Sequence, residues 1–229
     1  MQRFYNNGQD GDSKFELCMD EVGRGCLFGR VYVACVVLPK QCSDTFDGTD
    51  IKDSKKFTSK KKIRMVADRI KEQALAWHIA YIENDVIDEI NILQAVMKGM
   101  HECIKETLIK LDTNVENAFA VIDGNYFIPY RVYNTTSEVI QELPHATVEK
   151  GDSRYIGIAA ASILAKVARD DYILNMCGTH PLLKTQYSLD TNMGYGTKKH
   201  LDGIKEFGIT QWHRRTFGEL CKTSTVTMI

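Results

Sequence analysis

Four acidic residues stand where short apolar runs stop. Asp20 and Glu21 follow Phe15–Met19, Asp123 closes Ala118–Ile122, and Asp152 comes between Lys150-Gly151 and a long alanine-rich stretch. In α/β sheets, ligands gather outside strand ends, so separated acids can converge there. Oxygen donors of this kind suit Mg2+ or Mn2+ rather than zinc. Two such ions, about 3.5–4 Å apart, activate water and stabilise the leaving oxygen of a phosphodiester. An acid after a strand is also a common turn residue or helix cap, and for Asp123 or Asp152 taken alone that is the commoner role. Asp20-Glu21 is harder to dismiss, because two acids abut one strand. Strand neighbours point to opposite faces, so both serve one site only where the strand twists, bulges or ends.

Glu21 runs through Val22 into Gly23-Arg24-Gly25. Glycines let backbone groups approach a ligand with no Cβ in the way, and Arg24 adds a charge suited to phosphate. A dinucleotide-binding loop is the rival reading. It fails on spacing, because the third glycine falls one place late, at Gly29, and no helix is predicted after it. Asp53-Ser54-Lys55-Lys56 opens a lysine cluster that continues through Lys60, Lys61 and Lys62. Lysines at a helix start oppose the helix dipole, which leaves a phosphate-facing role for Lys55 and Lys56 and a solvated one for the rest. Tyr195 sits between Gly194 and Gly196, a setting for a ring that stacks on a sugar or base, or for a turn tyrosine capping the core. His213-Arg214-Arg215 reads as a basic, exposed segment.

These residues need a frame. Phe15–Met19 and Val31–Leu38 read as strands of a buried hairpin that Pro39 ends, and residues 40–56 read as loop. A helix follows from Ser59, with Ile63, Val66, Ala67, Ile70 and Ala74 at helical spacing. Ala76–Ile82 is a predicted strand, and Ile87, Ile90, Leu93, Val96, Met97 and Met100 mark one helix face. Ala118–Ile122 and His145–Val148 are predicted strands, Ile156–Ala168 a buried helix. A last helix runs from Thr197 to an αL cap at Gly208. The alternation argues for one α/β domain over residues 15–222, between a polar tail, 1–14, and a short tail, 223–229.

Bulk properties bound the function. The chain has 229 residues, 44% of them hydrophobic, enough to bury a sizeable core. A net charge of -1 excludes a globally basic nucleic-acid coat but leaves room for an acidic site beside a local basic surface. The seven cysteines are odd in number and lack C-x-x-C spacing, as expected for reduced thiols. The polar N-terminus has no signal-peptide core, and Val31–Leu38 is too short to cross a bilayer. The expectation is a soluble, cytoplasmic protein without a membrane partner.

In this order the segments resemble ribonuclease HII, the type 2 branch of the ribonuclease H family, from about Phe15 to Phe217. The resemblance rests on Asp20 to Gly25, Asp53 to Lys56, Asp123-Gly124, Lys150 to Asp152, Ala159 to Asp170, Gly194 to Thr197, and His213 to Phe217. It implies a ribonuclease H-like α/β fold, a mixed central sheet flanked by helices with a helical C-terminal part. It implies that Asp20, Glu21, Asp123 and Asp152 bind Mg2+ or Mn2+ and perform catalysis. Backbone groups at Gly23, Arg24 and Gly25 would recognise the 2′-OH of the ribonucleotide 5′ to the DNA junction. Tyr195 would help set that contact and pack on the following deoxyribose. Lys55 and Lys56 are lesser phosphate-contact candidates.

The implied substrates are RNA/DNA hybrids and duplex DNA with embedded ribonucleotides. They would be cut on the 5′ side of the ribonucleotide to leave 3′-OH and 5′-phosphate ends, a task of DNA replication and repair. Phe57 and Met193 depart from the residues commoner in the family, leucine and lysine; the second removes one phosphate contact. The chain lacks room for the extra N-terminal domain of ribonuclease HIII, and Thr223–Ile229 carries no clamp-binding motif. A monomer without an obligatory protein partner is expected.

Overall fold

The computed structural model describes residues 1–5, 14–40, 48–135 and 137–229. Cys42 and the rest of residues 41–47, part of the loop expected over 40–56, lie outside the described residues. The chain forms two compact units, one of residues 1–21, 33–80 and 97–167, the other of residues 22–32, 81–96 and 168–229.

The first unit carries a five-stranded sheet. Its strands are β1 (Phe15–Val22), β2 (Val31–Val37), β3 (Ala76–Ile82), β4 (Ala118–Asp123) and β7 (His145–Val148), in the order β3-β2-β1-β4-β7. Every residue of β2 is buried, as a continuous β-branched run requires when both sheet faces are covered. β1 and β2 are neighbours joined by eight residues. So short a link makes them antiparallel, since a parallel pair needs a crossover of about a dozen residues or more. β1 runs parallel to β4, and β4 to β7, so the sheet is mixed, as expected.

Helix α1 (Lys60–Gln73) starts at Ser59, whose hydroxyl accepts from the Lys62 N–H, and buries Ile63, Val66, Ala67 and Ile70. Helix α2 (Asn84–Lys110) is longer than expected and broken at Asn91, φ +65°. The Asn91 Oδ1 accepts from the N–H groups of Leu93 and Gln94 and so caps the second half. Between β4 and β7 lies an unexpected hairpin, β5 (Arg131–Asn134) with β6 (Val139–Glu142). It escaped the periodicity argument because its large apolar residues, Tyr133, Val139 and Ile140, are exposed. Helix α3 (Ile156–Thr179) runs well past Ala168. The polar run Arg169-Asp170-Asp171 hides its continuation.

The second unit includes α4 (Pro181–Tyr187), α5 (Leu189–Asn192), α6 (Lys198–Phe207), α7 (Gly218–Thr223), and the parallel pair β8 (Ile209–Thr210) and β9 (Val226–Thr227). Its core gathers Phe28, Ile173, Leu183, Tyr187, Leu189 and Ile204. Gly208 does end α6, but at φ +79° and ψ −168°, not in the αL well expected. A Cβ there would meet the Thr225 carbonyl oxygen at 2.5 Å. Among the described residues no helix is long and apolar enough to cross a membrane. The six described cysteines are buried free thiols.

Candidate active site

The acids are positioned by register. Met19 pairs with Ile122 and Asp123 with Val148, so one step beyond Met19 the chain brings Asp20 level with Asp123 at the carboxyl ends of parallel strands. β1 continues through Asp20 and Glu21 to Val22. The Asp20 side chain turns along its own strand, where Oδ1 accepts from the Glu21 N–H at 2.8 Å. Burial apart, the Glu21 charge is near enough to raise the Asp20 pKa. Asp20 is only 5% exposed. Burial first, then the Glu21 and Asp123 charges, hold its carboxyl well above the usual range.

Asp123 is likewise raised by burial and by Asp152, although the Gly151 N–H counteracts this by donating to its Oδ1 at 2.6 Å. Asp152 sits in the short 3-10 turn Gly151–Ser153, entered through Lys150 at φ +55°. A Cβ at Gly151 would meet Ile158 Cδ1 at 2.5 Å and Asp123 Oδ1 at 3.2 Å, so a side chain there would push Ile158 aside and crowd the Asp123 carboxylate.

Asp53-Ser54-Lys55-Lys56 proves to be one device. Asp53 caps the turn by accepting from the Lys55 N–H. Ser54 is buried, with its hydroxyl 3.0 Å from that of Ser162 on α3, and Ser162 in turn hydrogen-bonds Asp20. Lys55 Nζ lies 3.6 Å from Asp152 Oδ2. Burial works against its ammonium, but Asp152, Asp53 and Asp20 together raise its pKa. Lys56 is exposed. The structure thus links the four acids pairwise, with Lys55 against one end.

Among the described residues no three such side chains form a ready-made metal cage. Mg2+-type ions are held by one or two carboxylates and complete their shell with water and substrate phosphates. Hard oxygen donors in a crowded, partly buried anionic group fit such an ion.

The second unit holds the other candidate residues. Gly23 is buried at φ +97°, and a Cβ there would collide with the guanidinium side of Arg169, Cδ at 2.6 Å. Arg169 is fully buried. It donates to three carbonyls: Met193 from Nη1 at 2.6 Å, Phe28 from Nη2 at 3.2 Å and Arg30 from Nε at 3.3 Å. Arg214 Nη1 donates to the Arg24 carbonyl at 3.1 Å and Nε to the Gly29 carbonyl at 2.9 Å. Two arginines therefore clamp the glycine loop from within, leaving Arg24 and Gly25 exposed.

Gly25 differs from Gly23. Its φ is not positive and a Cβ would meet nothing within 4 Å. Neither packing nor backbone strain demands a glycine there. Tyr195 pairs with Cys26 in an isolated antiparallel bridge. Its ring lies beside the Arg169 guanidinium, 5.9 Å from the ring centroid, and the residue stays 45% exposed. It is presented rather than used as a core cap.

His213 and Arg214 are fully buried and only Arg215 is exposed, which corrects the expected basic surface. The pairing of Arg214 with loop carbonyls explains this. Arg169, Ser162, Ser54 and His200 were not singled out as site residues. A signal existed for two of them: Ile158, Ser162, Ala165, Arg169 and Ile173 form one buried stripe of α3, so Arg169 occupies a core position at helical spacing.

A family model described as ribonuclease HII matches residues 17–220. A protein named ribonuclease HII from Parabacteroides distasonis is 40% identical over 206 residues, 89% of this chain and 90% of the relative. One from Neisseria meningitidis serogroup C is 41% identical over 199 residues, 87% of this chain and 90% of the relative. Among solved structures, the PCNA:RNase HII complex from Archaeoglobus fulgidus superposes with a TM-score of 0.63 at 25% identity, covering 89% of this chain and 95% of that one.

Proposed function

The chain belongs to the ribonuclease HII family, and from that premise we propose that it also incises duplex DNA on the 5′ side of single embedded ribonucleotides, leaving 3′-OH and 5′-phosphate ends. Membership makes it a type 2 ribonuclease H, a phosphodiester hydrolase acting on RNA/DNA hybrids. The observation that carries the mechanism is the mutual electrostatic reach of Asp20, Glu21, Asp123 and Asp152 at the ends of parallel strands.

In this reading those four acids hold Mg2+ or Mn2+. When bound, such an ion polarises the phosphoryl group and makes water a competent nucleophile near neutral pH. Lys55, 3.6 Å from Asp152, would contact a substrate phosphate, and Lys56 would be a further phosphate contact. Backbone groups of Gly23, Arg24 and Gly25 read the 2′-OH, the group by which a site tells RNA from DNA. The Tyr195 ring packs on the following deoxyribose. The enzyme works as a monomer, without an obligatory protein partner.

Three substrates test the reading: an RNA/DNA hybrid, a duplex with one ribonucleotide, and an all-DNA duplex. The first two should be cut with Mg2+ or Mn2+, none after chelation. Cutting that survives chelation, or an all-DNA duplex cut equally well, would refute it.

Two further outcomes are expected. Gly25→Ala should change stability by no more than about 0.5 kcal/mol, yet lower kcat/KM on the single-ribonucleotide duplex about tenfold, because the methyl occupies the ligand's side of the loop. Unchanged kinetics would remove Gly25 from the binding surface.

The rate should also fall in acid. Asp20 and Asp123 are held above the ordinary carboxylate range, so they take up protons at higher pH than a free carboxyl, whose pKa is about 4. Metal and proton compete for the same oxygens, so raising the Mg2+ concentration should move the acid limb to lower pH. A pH–rate profile flat down to about pH 4 would contradict the carboxylate site.

A further inference from the structure

Behind Tyr195 lies a row of buried polar groups that the proposed reaction does not use. His200 and His213 are fully buried, their Nε2 atoms 3.0 Å apart. One backbone group decides the proton order along the row. The Thr210 N–H donates to His213 Nδ1 at 2.9 Å, and the Thr210 hydroxyl, 2.9 Å from the same nitrogen, can donate as well, so that nitrogen carries no proton. The single proton of a neutral His213 ring then sits on Nε2 and is donated to His200 Nε2. His200 must in turn keep its proton on Nδ1, 3.0 Å from the Tyr195 carbonyl oxygen.

Neither ring can take a second proton without breaking the row. On His213 it would set N–H against the Thr210 N–H; on His200 it would set two N–H groups face to face. Burial acts in the same sense. It holds His200 below the ordinary imidazole range and, with His200 beside it, pushes His213 down to about 3. Tyr187 packs against both rings, at 6.1 and 5.1 Å between centroids.

The far end of the row is tied to the glycine loop's own segment. The Gly29 N–H donates to the Trp212 carbonyl and the Arg214 N–H to the Leu27 carbonyl, both at 2.8 Å. The Leu27 N–H donates to the Gly194 carbonyl at the same distance. The turn at 210–213 and the main chain of Tyr195 thus hold the same segment from two sides, and the histidines connect them.

We propose that His200 and His213 are positioning residues: a proton-ordered pair of neutral imidazoles that fixes the Tyr195 main chain and thereby the seating of its ring beside Gly23-Arg24-Gly25. The proposal rests on the reading of Tyr195 as a sugar contact.

Long-range 1H–15N spectra of the histidine rings in the full chain at neutral pH should show His200 as the Nδ1–H tautomer and His213 as the Nε2–H tautomer. The same tautomer for both, or a doubly protonated ring, would overturn the proposal.

Kinetics supply the functional arm. His200→Asn keeps a donor in the place of Nδ1, whereas His200→Gln keeps a polar group only at the Nε2 end. His200→Gln should raise KM for the single-ribonucleotide duplex about tenfold, with kcat altered less than about twofold. His200→Asn should recover most of the loss. In a Tyr195→Ala background, His200→Gln should add no further increase, since the two act as one unit.

A purely structural histidine would instead lower the active fraction, cutting kcat with KM unchanged, and that result overturns the proposal. If Tyr195→Ala raises KM and His200→Gln does not, the relay alone is wrong. If Tyr195→Ala leaves KM unchanged, the reading of Tyr195 falls and this proposal with it. Should the substituted chains not fold, the ring spectra of the unsubstituted protein decide.

Discussion

Asp20→Asn should abolish incision while leaving the protein more thermally stable than the parent. The two effects have different origins. Electrophilic activation by a bound divalent ion is worth several kcal/mol at the transition state. Losing about 4 kcal/mol through a ligand that no longer carries charge costs roughly a thousandfold in rate.

Stability moves the other way. The folded-state pKa of Asp20 is raised by burial and by Glu21 and Asp123, so the native state binds this proton more tightly than the unfolded chain. Its ionisation therefore opposes folding as pH rises above the unfolded carboxyl pKa, and the cost grows until the pH passes the raised folded-state pKa. An amide is neutral and can still accept from the Glu21 N–H through Oδ1. A rate assay and a melting curve at pH 7 without added metal check both arms. A variant that loses activity because it unfolds would contradict the assignment, and so would one that still cuts at a tenth of the parent rate.

Gly23→Ala should fail for the opposite reason. The residue is buried at φ +97°, and its Cβ would displace Arg169, the side chain that holds the Phe28 and Arg30 carbonyls of the loop segment and the Met193 carbonyl beside it. Left-handed backbone costs a non-glycine residue about 1–2 kcal/mol, and each lost bond to a buried charge a further 1.5–3 kcal/mol or so. A loss of about 3 kcal/mol or more is expected. At about 2–4 °C per kcal/mol for a chain of this size, Tm should fall on the order of 10 °C, and ribonucleotide-dependent cutting should fall with it. Thermal melting beside Gly25→Ala makes the comparison clean, since that neighbour should melt like the parent. Equal melting of the two alanine variants would mean that Arg169 does not hold the loop as described.

Legibility in the sequence followed the physics of each feature. The sheet was readable because its strands are continuously apolar: β2 is buried throughout, and β3 and β7 begin and end where the pattern does. The β5–β6 hairpin was not readable, because it turns its apolar residues outward and buries no face. The acids were found at strand ends, but their mutual approach depends on strand register, which no local pattern encodes.

The inner clamp of the glycine loop was missed because charged residues are read as surface. Arg169 and Arg214 are buried because unpaired loop carbonyls need donors, and one guanidinium supplies several at fixed angles. His213 is buried with them. Its place is set by a backbone N–H three residues earlier.

The proposed activity is recognition of a ribonucleotide and cleavage beside it. A duplex carrying one ribonucleotide, labelled at either end of that strand and incubated with Mg2+ or Mn2+, tests it most directly. A single nick is expected on the 5′ side of the ribonucleotide, with a 3′-OH on the upstream fragment and a 5′-phosphate on the ribonucleotide itself. The same strand made wholly of DNA should stay intact. A nick on the 3′ side, cleavage independent of the ribonucleotide, or no incision above that of Asp20→Asn would contradict it.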